Sequence, residues 1–242
     1  MPLTENNLYE RLKMNTKQFH PVVQFNPAKE KLIQFDFTEK NIELQKINLS
    51  DTEMFCTYIN GLLQNANAKF GCGGYNELRT LYKRSSLFDN SIDKNSLQTE
   101  EPRRLHLGID IWGAAGTEIF APWQGVVHSF AFNDNFGDYG AAIILSHQLE
   151  DLSFFTLYGH VILADLHNIR EGSYINCGQK FAQFGKPAEN GHWPPYLHFQ
   201  VIQNITPYKG DYPGVCKFSE RKKYLLNCPD PDVILDMRKF IS

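Results

Sequence analysis

Residues 196–202 read YLHFQVI, and their alternation sets Tyr196, His198 and Gln200 on one face and Leu197, Phe199 and Val201 on the other. A polar stripe opposite an apolar one marks a strand with one face in the core and the other along a cleft. Upstream lie similar short runs: EIFAP at 118–122, GVVHSFAF at 125–132, AAIILSH at 141–147, LSFFTLYGH at 152–160 and SYINCGQKFAQFG at 173–185. They are separated by Gly, Pro, Asn and Asp. This texture begins after Pro102 and predicts a compact antiparallel β domain.

Before Pro102 the pattern differs. Over residues 51–67, Met54, Phe55, Tyr58, Ile59, Leu62 and Leu63 recur at helical spacing, with Ser50 and Glu53 placed as a capping box. GCGGYNELRTLYKRSSLF at 71–88 opens on flexible glycines and then shows a short helical pattern through Leu78, Leu81 and Tyr82. The polar stretch from Ser85 to Glu101 suits a linker. From Thr206 the chain reads as a wrapping tail with a last helix around Val233 to Lys239. The expected organisation is a helical N-terminal extension and linker over 1–100, the β domain over 101–205 and the tail over 206–242, with no repeats.

The 242 residues suffice for a substantial core. A net charge of −3 without a basic stripe argues against nucleic acid or anionic membrane as partner. The N-terminus lacks the apolar core and cleavage site of a secretory signal, and no run is long enough to span a bilayer. As written, the chain reads as soluble and cytoplasmic; a leader upstream of Met1 would make it periplasmic or extracellular. Five cysteines without metal-type spacing read as reduced thiols, with a Cys216–Cys228 bridge open if the protein is exported. Nothing sets an oligomeric state.

Two patterns carry chemistry. His106-x-x-x-Asp110 lies in RRLHLGIDIW, and His198 lies in WPPYLHFQ. Together they offer two imidazoles and a carboxylate, a ligand set for catalytic zinc that leaves one position open for water. Gly108 and its surroundings suggest a strand entering a bend that turns His106 and Asp110 inward.

These residues resemble the LytM/lysostaphin-type zinc metallopeptidases, whose signature is H-x-x-x-D followed much later by H-x-H. The likeness runs from about 102 to 203 and includes GIDIWGAAGTEIFAPWQGVV, FGDYGAAIILSH, TLYGHV, INCGQKFAQFG and WPPYLHFQ in the family's order. It implies the family's antiparallel fold, a Zn²⁺ ion held by His106, Asp110 and His198, and hydrolysis of a peptide in peptidoglycan cross-links or stems. It also implies that His160, in YGH, orients the attacking water or stabilises the developing oxyanion, in the latter case through its N–H. The first histidine of H-x-H corresponds to Tyr196, a phenol that is a poor general base at neutral pH. The alternative is a catalytically weakened member serving as a peptide-binding or partner-activating module.

Other features are secondary. His192 is a candidate for the missing imidazole or an exposed loop residue, and His128 and His147 read as structural. GCGGYNE, with Asn76 and Glu77, is either a plug entering the cleft, as in some relatives of this fold, or a brace. NDNFGDYG at 133–140 reads as a hairpin turn rather than a calcium loop. Trp112, Trp123, Trp193 and Phe199 are candidates to line a groove.

Overall fold

The protein is seen in a computed structural model that describes residues 7–89 and 101–241. The N-terminal part contains α1 (Asn7–Met14), β1 (Leu32–Phe35), α2 (Ile42–Gln45), α3 (Thr52–Ala66) and β2 (Phe70–Gly73). Then come β3 (Leu105–His106), β4 (Ile109–Trp112), β5 (Glu118–Phe120), β6 (Gly125–Asn133), β7 (Gly140–Leu149), β8 (Leu152–Val161), β9 (Tyr174–Ile175), β10 (Lys180–Gln183) and β11 (Tyr196–Ile202). The tail adds β12 (Val215–Cys216), α4 (Arg221–Asn227) and α5 (Asp232–Leu235).

The protein is mainly β. Eight strands form one sheet in the order β1-β2-β4-β11-β8-β7-β6-β9, antiparallel throughout except for the parallel pair β1 and β2. Each apolar run of the β domain supplies at least one strand. Leu197, Phe199 and Val201 face the principal core with Ile109, Ile111, Ile143, Leu145 and Tyr158, as the alternation of β11 requires.

The N-terminal region departs from the expected helical extension. β1, α3 and β2 form a crossover unit, and β2 continues the sheet by pairing Gly71 with Trp112, Cys72 with Ile111 and Gly73 with Asp110. The glycines that read as flexible are strand residues under close packing: a Cβ on Gly71 would lie 2.4 Å from the Phe35 ring. α3 buries Phe55, Ile59 and Leu63, while Met54 is exposed. Its cap is Asp51, not the expected Ser50. The Asp51 carboxylate accepts from the N–H groups of Glu53 and Met54, and the helix ends at Asn67 in a left-handed conformation. The expected linker lies largely outside the described residues, its beginning being a 3-10 turn over Ser86–Phe88.

The tail covers the polar face of β11. β12 pairs with β3, and the Leu107 N–H donates to Gly214 O at 2.9 Å. The helix anticipated near 233–239 is split into α5 and a 3-10 turn over Arg238–Phe240. All five cysteines are free, so the conceivable Cys216–Cys228 bridge is replaced by two buried thiols. No described helix is long and apolar enough to cross a membrane.

His147 shows what burial does to a histidine away from any metal. Its Nδ1 donates to Gln124 O at 2.9 Å, its Nε2 contacts Thr156 Oγ1 at 2.6 Å, and burial lowers its pKa to about 4. In the unfolded chain it titrates near 6.5, so the unfolded state binds more protons between about pH 6.5 and 4 and stability falls as pH falls through that window. This one group contributes a slope of about 1.4 kcal/mol per pH unit. His147→Gln should reduce the pH dependence of unfolding by one proton equivalent over that range, measured by urea denaturation of metal-free protein at several pH values.

Candidate metal centre

Strand register brings the ligand-type residues together. β3 belongs to a ribbon with β12, whereas β4 belongs to the large sheet, and only Leu107 and Gly108 separate them. The chain therefore turns between two sheets within the H-x-x-x-D segment, which aims His106 and Asp110 at one point. Asp110 is paired directly with His198 across β4 and β11. His106 Nε2 and His198 Nδ1 are 3.0 Å apart, His198 Nδ1 is 3.0 Å from Asp110 Oδ1, and His106 Nε2 is 3.2 Å from the same oxygen. All three side chains are buried.

Hydrogen bonds on the far side of each ligand decide where the protons sit. His106 Nδ1 lies 2.8 Å from Gly74 O, a carbonyl that only accepts, so Nδ1 carries the proton and Nε2 turns a lone pair inward. Gln200 directs its Nε2 at Pro213 O, which fixes its Oε1 as the acceptor facing His198 Nε2 at 2.9 Å. His198 thus donates outward and also turns a lone pair inward, through Nδ1. The Asp110 carboxylate gives Oδ2 to Arg79 and keeps Oδ1 for the same focus. Three lone pairs converge with no proton assigned between them.

Such a focus fits a cation. Tetrahedral zinc with bonds of about 2.0 Å has ligand atoms about 3.3 Å apart, close to the observed spacing. His106, Asp110 and His198 are a group that can hold a metal ion, and each ligand has the outer partner that metal sites use to fix tautomer and orientation. Burial, helped by the charge of Arg79, lowers the His106 pKa to about 4 and keeps the imidazole neutral. Burial opposes the Asp110 charge, but the surrounding charges, the Arg79 guanidinium on Oδ2 among them, outweigh it and hold the carboxyl well below its usual range.

A second pair adjoins this group. His160 Nδ1 donates to Asn190 O at 2.8 Å, and the Tyr196 hydroxyl lies 2.5 Å from His160 Nε2. The proton on Nδ1 makes Nε2 the acceptor, so the phenol donates to the imidazole. This differs from the expectation that His160 presents an N–H to a reacting group: its one proton is tied to Asn190. Burial lowers the His160 pKa to about 3 and pushes that of Tyr196 well above 10. Tyr196 stacks on Trp112 with ring centroids 4.0 Å apart. His160 has φ +68, a left-handed conformation that costs a side-chain-bearing residue on the order of 1–3 kcal/mol and clusters at functional sites.

A family model for Peptidase family M23 matches residues 104–209. Among solved structures, the chain is similar to a zinc-containing peptidase from Vibrio cholerae, at 25% identity over 40% of this chain and 27% of that one, TM-score 0.33. It is also similar to the catalytic domain of the antimicrobial peptidase lysostaphin from Staphylococcus simulans, at 22% identity over 55% of this chain and 80% of that one, TM-score 0.37. A third is the catalytic domain of a mutant of a prophage-encoded M23 protein from Enterococcus faecalis, at 18% identity over 53% of this chain and 98% of that one, TM-score 0.34. A comparison with curated proteins finds no match.

Other candidates fall away from this centre. His192 is exposed and stacks on Phe136, with ring centroids 5.5 Å apart. Asn76 accepts from Arg221, and Glu77 accepts from Arg79 at 2.7 Å, so this segment braces the site instead of entering a cleft. Of the four aromatic groove candidates, only Trp193 borders the cavity of about 130 Å³ beside His160, Tyr196 and His198. Trp112 and Phe199 are core residues, and Trp123 packs against Phe19. Four partners were not anticipated: Arg79, Gly74, Asn190 and Gln200. Only Gln200 had a signal, its place on the polar stripe.

Gly108 has a direct consequence for the centre. A Cβ there would lie 2.6 Å from His198 Cε1 and 2.8 Å from Phe199 O. Gly108→Ala should cost about 1–3 kcal/mol through overpacking and displace His198, weakening zinc binding. Urea unfolding and equilibrium dialysis against zinc would check both effects.

Proposed function

We propose that the M23 domain is a zinc-dependent endopeptidase acting on peptide bonds of peptidoglycan cross-links or stem peptides, with His106, Asp110 and His198 as its metal ligands. The convergence of three lone pairs fixed by outward hydrogen bonds carries the reading. Three protein ligands leave the open position that separates catalytic from structural zinc. When bound, zinc polarises a carbonyl and lowers the pKa of a water to about 7. The substrate class comes from the resemblance to lysostaphin-type enzymes.

The rest of the chemistry belongs to side chains of this chain. Tyr196 alone is a poor base, but its hydroxyl is already hydrogen-bonded to His160 Nε2. A proton arriving at the Tyr196 oxygen from the attacking water can therefore leave on the other side, to Nε2. The phenol stays neutral, and the imidazole, whose pKa burial lowers to about 3, holds the proton only in passing before it returns through the phenol to the leaving amine. Asn190 O, bonded to Nδ1, stabilises the imidazolium that forms. Trp112 holds the phenol from one face, so the relay is fixed before substrate arrives. A cavity of about 130 Å³ lies beside these groups, bordered by His160, Trp193, Tyr196 and His198.

Purified full-length protein should bind about one zinc per chain and cleave muropeptides or glycine-rich peptides, losing activity with chelator and regaining it with zinc. Failure to bind zinc at all would sink the proposal. Binding of zinc and peptide without turnover would instead favour the peptide-binding module.

The relay has its own test. Tyr196→Phe should retain zinc and lower kcat by about 10² to 10⁴. Measurement of metal content beside steady-state kinetics separates loss of the relay from loss of the metal.

A further inference from the structure

Residues 104–209 contain every ligand-type residue of the centre, yet one of the most heavily bonded groups at the site lies outside them. Arg79 is 1% exposed. Its Nη1 donates to Asp110 Oδ2 and lies 3.3 Å from the Tyr82 hydroxyl, its Nε donates to Glu77 Oε2 at 2.7 Å, and its Nη2 donates to Gly74 O at 3.1 Å. The Phe37 ring lies beneath the guanidinium at 5.3 Å. Room for it exists because residue 73 has no side chain: a Cβ on Gly73 would lie 2.7 Å from Nη2.

We infer that Arg79 is a positioning residue of the metal centre, delivered by the N-terminal segment, which holds Asp110 as a one-oxygen ligand with Oδ1 aimed at the metal. The inference rests on the metal reading above. Three observations separate positioning from competition for the site. Arg79 bonds the oxygen that faces away from the two imidazoles, and leaves the inward oxygen free. Four of its five N–H donors are taken by Glu77, Asp110, Tyr82 and Gly74, and none of these bonds is directed at the focus. Its charge is offset locally, since Glu77, Arg79 and Asp110 sum to −1, the same as Asp110 alone.

Gly74 O accepts from both Arg79 and His106, at 3.1 and 2.8 Å. A single carbonyl thus ties the arginine to a second ligand. Arg79 fixes Asp110 directly and shares with His106 the acceptor that fixes its tautomer. The planar fork is what allows these bonds together; an ammonium on a flexible stem cannot reproduce them.

The test uses the full chain and zinc or cobalt alone. Arg79→Lys keeps the charge and loses the fork. The double variant Glu77→Gln/Arg79→Gln keeps the local charge at −1 and loses the ion pairs, so a change in affinity reports orientation. Each should weaken zinc binding by about 10- to 100-fold, as loss of an outer partner does, in competition with a chromophoric chelator. Each should also weaken the visible absorption of the cobalt form as Asp110 becomes free to bind through both oxygens. Unchanged affinity, with metal-free and zinc-loaded protein losing equal thermal stability, would reduce Arg79 to a structural brace and overturn the inference. So would tighter zinc binding, which identifies a competitor. X-ray absorption on the zinc-loaded wild type requires no variant: one carboxylate oxygen on the metal is expected, and a bidentate carboxylate overturns the proposal even if both variants fail to fold. Wild type that binds no zinc fails the functional reading itself, whereas wild type and variants that bind equally fail only this one.

Discussion

The commitment of each imidazole proton to an outward acceptor governs the centre. His106 gives its proton to Gly74 O and His198 gives its proton to Gln200 Oε1. Those acceptors are fixed in turn, the first by backbone identity and the second because the other end of the Gln200 amide faces Pro213 O. Buried polar groups are costly when unpaired, and reversing either imidazole would set its outward lone pair against an oxygen that only accepts. The inward nitrogens are therefore acceptors by necessity. A ligand set is thereby prepared without a coordinate bond having to orient it.

This requirement reaches across the whole chain. Gly74 follows β2, Arg79 follows Gly74, Gln200 lies on β11, and Pro213 belongs to the tail. β2 docks directly on β4, pairing Gly73 with Asp110. Displacing β2 would therefore disturb the carboxylate and the acceptor of His106 together. Trp112, at the end of the same β4, stacks on Tyr196. One strand thus positions Asp110 towards one end and the Tyr196 phenol at the other, which keeps the distance between them fixed.

How much of this was legible in the sequence depends on whether a feature is local. The β runs and the faces of β11 follow from period-two alternation, and the ligand group follows from motif residues that the register of β4 on β11 joins. β2 was hidden because two of the four residues in FGCG are glycines, which cannot show a period; its strand identity comes from pairing with β1 on one side and β4 on the other. The cap shifted from Ser50 to Asp51 because adjacent residues are both competent and the carboxylate also favours the positive end of the helix dipole. Arg79 had no signal at all. A lone arginine beside LYKR reads as a solvated charge, and only tertiary structure supplies the two carboxylates and the carbonyl that let it be buried.

The same closure that satisfies the ligands shapes what the site can do. Tail residues lie against His198 from one side, where a Cβ on Gly214 would come within 3.2 Å of its ring, and Tyr82 and Phe88 border the cavity from another. Exclusion of water strengthens each electrostatic contact within the site and keeps His160 neutral, as an acceptor must be. It also narrows the way in. Under the proposed relay, the phenol need not hold a proton or release one to solvent; it has only to pass one to a neighbour 2.5 Å away. In an open cleft the same substitution would leave a base whose pKa near 10 is poorly matched to neutral pH. In the proposed mechanism the enclosure and the tyrosine are two parts of one arrangement, in which proton transfer depends on contact geometry more than on the intrinsic basicity of residue 196.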